Sequence, residues 1–306
     1  MLQVEEVSRA LSELGYDAVT VPFSLDLKGV ADACSAISPV FVFNLVESVE
    51  GLGRHIHMAP ALLDHLGLPY TGSGLEAMFL TSNKLLAKKL IRASDLPTPA
   101  WYSTDDRDAP DEKLEGPYIV KSVWEHASRG LDESSVVFPV NSGELLNEVR
   151  LCGERLAGDC FAERYVEGRE FNLSLLGDDS GRPEVLPPAE IIFDGYPAEK
   201  IRVVGYRAKW EEDSFEYNHT PRSFGFLSQD TSLLRELRDM AVNCWSLFGV
   251  RGYARVDFRV DPLGGPWVLE VNVNPCLSPD AGFFAAASRA GLSFTAVVER
   301  IIKSSM

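Results

Sequence analysis

The most regular alternation of apolar and polar residues in this chain lies between residues 254 and 275. Two stretches of period-two alternation flank the turn-forming sequence PLGG at residues 262–265, so the pattern predicts an antiparallel hairpin with a short loop. Alternate side chains of a strand point to opposite faces. The core face is therefore predicted to carry Ala254, Val256, Phe258 and Val260 from the first strand and Leu269, Val271 and Val273 from the second.

The opposite face of this hairpin carries polar residues, among them Asp257, Glu270 and Asn272. If both apolar faces cover one core, these three side chains converge on the other side of the sheet. Oxygen ligands without His or Cys suit a hard cation such as Mg²⁺ or Mn²⁺, whose shell usually includes substrate phosphates. A hairpin whose polar face simply meets water is the alternative interpretation.

Helix and strand patterns alternate in the N-terminal part of the chain. An amphipathic helix that ends at Gly15 is followed by a predicted strand over residues 17–23 and a helix near 28–36. The nearly all-apolar run over residues 39–45 is typical of a strand buried on both faces of a parallel sheet. This order predicts a small doubly wound unit. A further helix is expected to have Ser82 as its N-cap.

The middle of the chain places a charged residue where an apolar one is expected. Lys121 shares a face with the apolar residues of a predicted strand over residues 118–123, so either that face is exposed or the lysine lies opposite an anion. The small-residue loop over 125–130, which includes Ser128, would let backbone N–H groups approach a phosphate.

Two further features follow this loop. Strands over residues 161–166 and 170–176 are predicted to form a second hairpin around Gly168. The long polar stretch over residues 194–226, which contains Lys209, is expected to be a lid, with a disordered loop as the alternative.

Composition restricts the class of partner. The 306 residues include 45 Asp and Glu against 29 Lys and Arg, and the formal net charge of −16 argues against a nucleic-acid partner, which requires a basic face. A small anionic ligand is still compatible if a few lysines and a metal create local positive charge. Five scattered cysteines without a CxxC pair suggest a reducing cytoplasm and no structural zinc. The sequence shows no signal peptide and no apolar window of membrane-spanning length.

The residues with chemical potential occur in an order that resembles the ATP-grasp superfamily. That order is Lys121, a small-residue loop, Glu163 and Glu170, then Arg255, Asp257, Glu270 and Asn272. Within the superfamily the chain looks most like D-alanine:D-alanine ligases and their relatives, because strings such as PYTGSG at residues 69–74 and AGLSF at 290–294 recur in that family's order. The similarity runs from about Val42 to the C-terminus.

The resemblance implies an ATP-grasp fold of mixed α/β and α+β class. The expected parts are a small doubly wound N-terminal domain over residues 1–80, a central α+β subdomain over 81–165 and a C-terminal antiparallel-sheet domain over 166–306. The family begins with a strand and a glycine-rich loop, whereas this chain starts at the following helix, so its first strand is expected to be missing. Family members often form dimers, which makes a homodimer a further expectation.

The resemblance also implies an ATP-dependent carboxylate–amine ligase with ATP and Mg²⁺ (or Mn²⁺) as cofactors and amino acids or dipeptides as substrates. In that family a carboxylate attacks the γ-phosphate of ATP to give an acyl phosphate, from which an amine then displaces phosphate. By position, the resemblance implies that the phosphates would be bound by Lys84, Lys121, Lys209 and the loop at Ser128. Glu163 and the backbone near Val166 would bind the adenine, and Glu170 would bind the ribose. The metal would be held by Asp257, Glu270 and Asn272, while Arg255 would stabilise the tetrahedral intermediate. Arg255 and Lys209 are the expected catalytic residues. Independently of any family, phosphoryl transfer depends on positioning and charge neutralisation, which lysines and divalent cations supply.

Several substrate positions depart from the family pattern. Cys276 stands where the family has a glycine, Ala281 replaces a serine that contacts the second substrate, Trp210 replaces a lid tyrosine, and residues 126–128 read HAS where Gly-Ser-Ser is usual. We therefore expect a ligase of this family with an uncertain substrate. The alternatives are an authentic D-alanine:D-alanine ligase of peptidoglycan synthesis, a nucleotide-binding protein without ligase activity, and thiol chemistry at Cys276 with His126 or His219 as base.

Overall fold

The N-terminal part of the molecule is built from helices. A computed structural model describes residues 2–104, 114, 116–125, 128 and 130–306. The helices that precede the first strand are α1 (Leu2–Glu13), α2 (Leu27–Ile37), α3 (Met58–Leu66), α4 (Leu75–Ser82) and α5 (Lys84–Ala93). The prediction of Ser82 as an N-cap is wrong, because its hydroxyl donates to the Met78 carbonyl inside α4. Asn83 caps α5 instead, where its side chain accepts from the Leu86 N–H at 3.0 Å.

The two strands predicted before α3 do not form a sheet among the described residues. Residues 17–23 join no ladder, and the stretch over 39–45 makes one parallel bridge, between Val42 and Tyr70. Val40 is 76% exposed, so this apolar run is not buried on both faces. A strand needs a neighbour that supplies backbone hydrogen bonds along its edge, and here a neighbour does so at a single residue.

A four-stranded antiparallel sheet follows, in the order β1-β4-β2-β3. Its elements are β1 (Trp101–Ser103), β2 (Tyr118–Ser122), β3 (Val136–Val137), the helix α6 (Ser142–Leu156) and β4 (Cys160–Arg164). One face packs on α6 through Leu145 and Val149, which meet Tyr118, Val120 and Ala162 of the sheet. Since side chains alternate along a strand, Lys121 and Glu163 lie on the opposite face.

The second sheet is also antiparallel, in the order β10-β9-β5-β7-β8, with β6 paired to β5. Its elements are β5 (Arg169–Gly177), β6 (Pro183–Val185), β7 (Ala189–Ile191), α7 (Tyr206–Trp210), α8 (Phe215–Asn218), β8 (Arg222–Ser223), α9 (Thr231–Leu247), β9 (Tyr253–Val260), β10 (Pro266–Asn272), α10 (Gly282–Arg289) and α11 (Phe294–Ser305). Its largest apolar cluster joins β5, β9 and β10 to α9 and to α5. The long polar stretch predicted as a lid contains α7, α8 and β8, and its role as a lid stays a prediction.

The predicted β9–β10 hairpin is confirmed, with one change of register. Asp257 lies opposite Glu270 and Arg255 opposite Asn272. The register shifts between Val268 and Glu270, so Leu269 is an extra residue on β10. A bulge reverses the alternation beyond it. Val268 is consequently buried in the core, while Leu269, predicted for the core face, lines the cleft described below.

The second predicted hairpin is wrong, because its two strands belong to different sheets. β4 pairs with β1 and β2, whereas β5 pairs with β9 from Arg169 onward. Gly168 lies at the crossing with φ of 132°, and a Cβ on it would approach the Val260 carbonyl oxygen to 2.0 Å. The chain passes from one sheet to the other at this close approach to β9, so Glu163 and Glu170 occupy separate sheets.

The three predicted domain ranges stay a prediction. The boundary after residue 80 falls within α4, and the boundary after residue 165 falls just beyond β4, where the chain changes sheets. Over the described ranges, none of the helices combines the length and the apolar character needed to cross a bilayer.

Candidate active site

A cleft of about 960 Å³, including space open to solvent, lies between the two sheets. Its lining contains most of the predicted site residues, namely Lys84, Lys121, Ser128, Glu163, Val166, Glu170, Lys209, Asp257 and Glu270. Arg255 and Asn272 do not line the cleft, but they pair with each other across β9 and β10, two positions from Asp257 and from Glu270. His126 and Ala127 of the predicted phosphate loop lie outside the described residues.

Two lysines approach the carboxylates of the cleft from separate elements. Lys84 begins α5, and its Nζ donates to the Glu125 carbonyl at 2.6 Å and lies 4.0 Å from Glu270 Oε1. Burial lowers the pKa of Lys84, an effect that the charge of Glu270 opposes. Burial and the nearby Arg255 likewise lower the pKa of Lys209 on α7. An anionic ligand in the cleft would stabilise both ammonium groups.

Glu163 is the centre of a buried charge cluster. One carboxylate oxygen accepts from Lys121, and the other lies 2.8 Å from Lys88 Nζ. Lys88 also donates to the Thr98 hydroxyl at 2.7 Å. Burial acts to raise the pKa of Glu163, but the charges of Lys121 and Lys88 hold it below its ordinary value. The carboxylate is therefore ionised at neutral pH.

Lys88 is a site residue that sequence reasoning missed. It lies on α5 one turn after Lys84 and three residues before the buried Ile91, so helical spacing places it on the inward face. A lysine on an inward helical face is the same signal that drew attention to Lys121 on its strand. The spacing alone does not reveal the partner, because Glu163 is 75 residues away in sequence and on another element.

The floor of the cleft is formed by Asp257 and Glu270, which are cross-strand neighbours. Arg255 holds Asp257 with two hydrogen bonds, of 2.7 and 2.8 Å, and Asn172 of β5 donates to the same carboxylate at 2.9 Å. Burial alone would lower the pKa of Arg255, but Asp257 and Glu270 hold it above its ordinary value. Arg255 therefore carries a fixed positive charge beside the cleft.

A second buried pair lies on the same sheet, between Glu170 and Arg259. Arg259 Nη2 is 2.7 Å from Glu170 Oε2 and donates to the Arg202 carbonyl at 2.5 Å. Arg259 is 4% exposed. Alternation along β9 is enough to place Arg259 on the polar face, but its ion pair with Glu170 depends on the pairing of β5 with β9, which the sequence pattern does not predict.

The metal ligands predicted from sequence fit a hard cation in donor type. Asp257 and Glu270 offer carboxylate oxygens, and Asn272 offers an amide oxygen that here accepts from the Asn274 N–H at 2.9 Å. In the part of the chain that the structure describes, no group of three or more His, Cys, Asp or Glu residues suits a metal. If a cation binds here, these three residues would supply only part of its coordination shell, and a ligand phosphate or water would complete it.

Comparison with known proteins identifies the family to which this chain belongs. Residues 91–303 match the family model described as D-ala D-ala ligase C-terminus. The chain belongs to the D-alanine–D-alanine ligase family. It is 33% identical over 300 residues to the D-alanine–D-alanine ligase of Chromohalobacter salexigens, an alignment that covers 97% of this chain and 86% of that one. It is 30% identical over 303 residues to y4sG of Sinorhizobium fredii, named as an uncharacterised protein, with coverages of 97% and 85%.

The solved structures agree on the fold. The crystal structure of D-alanine–D-alanine ligase from Bacillus anthracis complexed with ATP matches with a TM-score of 0.72 at 21% identity, and covers 99% of this chain and 92% of that one. The ATP-grasp resemblance and fold class are thereby confirmed. Family membership also confirms the prediction of an ATP-dependent ligase that forms a C–N bond.

Two of the residues expected to depart from the family pattern, Cys276 and Ala281, lie in the loop that follows β10. The Cys276 thiol lies 3.3 Å from the Ser278 hydroxyl, and Ala281 precedes α10 without a side-chain cap. His219, one of two bases considered for thiol chemistry, stacks on Phe215, and its Nδ1 lies 2.8 Å from the Phe215 carbonyl. The described contacts of Cys276 and His219 therefore do not support a thiol–imidazole pair.

Proposed function

We propose that this protein joins the carboxylate of one amino acid or dipeptide to the amine of another through an acyl phosphate. The observation that supports this most is the convergence of Lys84, Lys121 and Lys209 with Asp257 and Glu270 in one cleft. In a chain of net charge −16, such a cluster of cations is a local feature that suits polyphosphate.

The residues have separate tasks in this reaction. The substrate carboxylate attacks the γ-phosphorus of ATP, and ADP leaves with the electrons of the broken P–O bond. Lys84, Lys121 and Lys209 bind the phosphate oxygens and offset their negative charge. The amine of the second substrate then attacks the carbonyl carbon, loses a proton and expels phosphate. Arg255, held by Asp257, would stabilise the charged oxygens of that tetrahedral intermediate.

The nucleotide and a divalent cation extend this assignment. Glu163 and the backbone near Val166 would contact adenine, and Glu170, fixed by Arg259, the ribose. Asp257, Glu270 and Asn272 would hold Mg²⁺ or Mn²⁺, which supplies charge neutralisation between the phosphates when bound. The donor types and the partial shell described above support this proposal.

The substrate pair is the open part of the proposal. The relative from Chromohalobacter salexigens is named D-alanine–D-alanine ligase, which makes D-alanine the first substrate to test. Ala281 cannot donate the hydroxyl hydrogen bond expected of a serine at that position, and Cys276 adds a side chain where the family pattern has none. These two changes favour an acceptor that differs from D-alanine in size or in its carboxylate contacts.

The test is phosphate release with ATP and Mg²⁺ across D- and L-amino acids and dipeptides. We expect release that depends on an amino acid, with a new amide product detected by mass spectrometry. Glu270→Gln should reduce it by about 10²-fold or more, since one metal-binding charge is lost. The matched control is Glu299→Gln, which alters an exposed ion pair with Lys303 and should retain wild-type rates.

The outcomes separate the alternatives. Turnover with D-alanine alone would favour an authentic D-alanine–D-alanine ligase. Tight ADP binding without amide formation from any member of the panel would contradict the proposed reaction and favour a nucleotide-binding role.

A further inference from the structure

Glu163 is held by two lysines of very different accessibility. The Lys121 side chain is 17% exposed and lines the cleft, whereas the Lys88 side chain is 2% exposed and lies behind Glu163, away from the cleft lining. Both carboxylate oxygens are occupied, one by each lysine. A ligand in the cleft can therefore reach Lys121 but not Lys88.

The second partner of Lys88 fixes its position. Lys88 donates to the Thr98 hydroxyl at 2.7 Å, and that hydroxyl donates to the Val268 carbonyl of β10 at 2.9 Å. The ammonium is thus tied to two strands, β4 through Glu163 and β10 through Thr98. An ammonium held at two points in a solvent-free site has little freedom to leave its carboxylate.

The proposed function requires Lys121 to bind phosphate, which removes one of the two cations from Glu163. A buried carboxylate with no cation would take up a proton and could no longer accept a hydrogen bond through both oxygens. The charged groups that face Glu163 are Lys121 from β2 and Lys88 and Lys84 from α5, while β1 places the uncharged Trp101 opposite it. Lys84 is expected to turn to the phosphates as well, which leaves Lys88.

We propose that Lys88 is a positioning residue that keeps Glu163 ionised and oriented toward the adenine amino group while Lys121 moves from Glu163 to the phosphates of ATP. This inference rests on the proposed function for the identity of the nucleotide. When ATP binds, Glu163 loses its hydrogen bond from Lys121, gains one from the adenine amino group and keeps the one from Lys88. Lys88 contacts neither the nucleotide nor the reacting atoms.

The experiment compares ATP with inosine triphosphate, which has a carbonyl oxygen where adenine has its amino group. An ionised Glu163 accepts from adenine and repels the inosine carbonyl, whereas a protonated Glu163 can donate to that carbonyl. We expect Lys88→Met to raise the KM for ATP about 10- to 100-fold with kcat changed less than about threefold. The ratio of kcat/KM for ATP to that for inosine triphosphate should fall by a similar factor and recover as pH rises. The control is Lys89→Met, an exposed neighbour on α5.

Direct binding keeps the test separate from the ligase assay. The affinities of ADP and inosine diphosphate, measured by calorimetry on the full chain, should show the same loss of discrimination in Lys88→Met. If wild type binds ADP but catalyses no amide formation, the proposed reaction has failed while the binding comparison still tests Lys88. Unchanged ADP affinity and discrimination in Lys88→Met would overturn the inference.

A double variant covers the case in which Lys88→Met does not fold. Replacing both partners, as Lys88→Met with Glu163→Gln, leaves no unpaired buried charge between them. If Lys88 acts through Glu163, the double variant should match Glu163→Gln alone in discrimination between ADP and inosine diphosphate. A further loss of at least about tenfold in ADP affinity in the double variant would show that Lys88 acts by another route.

Discussion

Replacing Glu163 by glutamine tests whether the buried charge cluster is described correctly. The variant keeps the size of the side chain but leaves Lys88 without a carboxylate, at a position where the residue is 1% exposed. Lys121 can turn to the solvent of the cleft, so it adds less to the cost. The free energy of unfolding should therefore fall, and the size of the fall depends on the protonation state of Lys88.

Two limits give the magnitude. If Lys88 stays charged, breaking a buried pair by removing one partner costs about 3–5 kcal/mol. If Lys88 instead loses its proton at pH 7, the cost of neutralising a lysine of ordinary pKa near 10.4 is at most about 4.6 kcal/mol, or about 1.4 kcal/mol for each pH unit. We therefore expect a loss of about 3–5 kcal/mol at pH 7 if Lys88 stays charged, and of no more than about 4.6 kcal/mol if it is neutral.

The pH dependence gives an independent check. Burial already lowers the pKa of Lys88 in the wild type, although Glu163 opposes this effect, and without Glu163 the pKa should fall further. The unfolded chain then binds a proton that the folded variant does not, so the stability of the variant rises with pH up to the unfolded pKa. The difference in the free energy of unfolding between wild type and variant should accordingly become smaller between pH 7 and about pH 10.

Urea unfolding at a series of pH values measures both quantities. Glu167→Gln is the matched control, since Glu167 is exposed and lies four residues after Glu163, on the connection between β4 and β5. A loss below about 1 kcal/mol at pH 7, or a gap that stays constant from pH 7 upward, would refute the buried-cluster reasoning.

Two further predictions concern folding. Gly168→Ala should lower the free energy of unfolding by about 2–6 kcal/mol, because it adds backbone strain to a clash with the Val260 carbonyl. The control is Gly181→Ala, where φ is also positive but the space around the residue is open. It should cost about 1 kcal/mol in the same urea titration. The hydrogen bond from Trp267 lowers the pKa of Asp261, so its stabilising effect is present above the unfolded pKa and is lost as pH falls through the folded pKa. Asp261→Asn should weaken the fall in the free energy of unfolding at acid pH. If wild type and variant show the same dependence of this free energy on pH between about pH 2 and 5, the assignment is contradicted.

Local pattern was enough to predict the element that carries the candidate metal ligands. Alternation and a PLGG turn determined that β9 and β10 pair and that Asp257 and Glu270 share a face, because a hairpin with a short loop admits few registers. The same reasoning found Lys121, since a lysine among apolar neighbours on a strand face needs an explanation. The end of the first helix near Gly15, which has a positive φ of 87°, also follows from local sequence.

Other features depended on contacts that no local pattern contains. The run over residues 39–45 is apolar enough for a buried strand, but strand formation requires a neighbouring edge, which the fold supplies at a single residue. β4 and β5 read as a hairpin because only a few residues separate them, yet the contact of Gly168 with β9 sends them to different sheets. Leu269 faces the cleft and not the core because the β9–β10 register shifts at this residue, which alternation along one strand does not reveal.

The sequence by itself thus determined which residues share a face within each element and which of them carry the charges. The tertiary structure alone decided which elements meet, and with that the partners of Glu163, Glu170 and Asp257. Lys88 shows the difference most clearly: helical spacing directs it inward, and β4 then brings a carboxylate within 2.8 Å that stabilises its charge there. Periodicity sets the direction of a side chain along its own element, whereas the energy of a buried charge depends on what another part of the chain places opposite it.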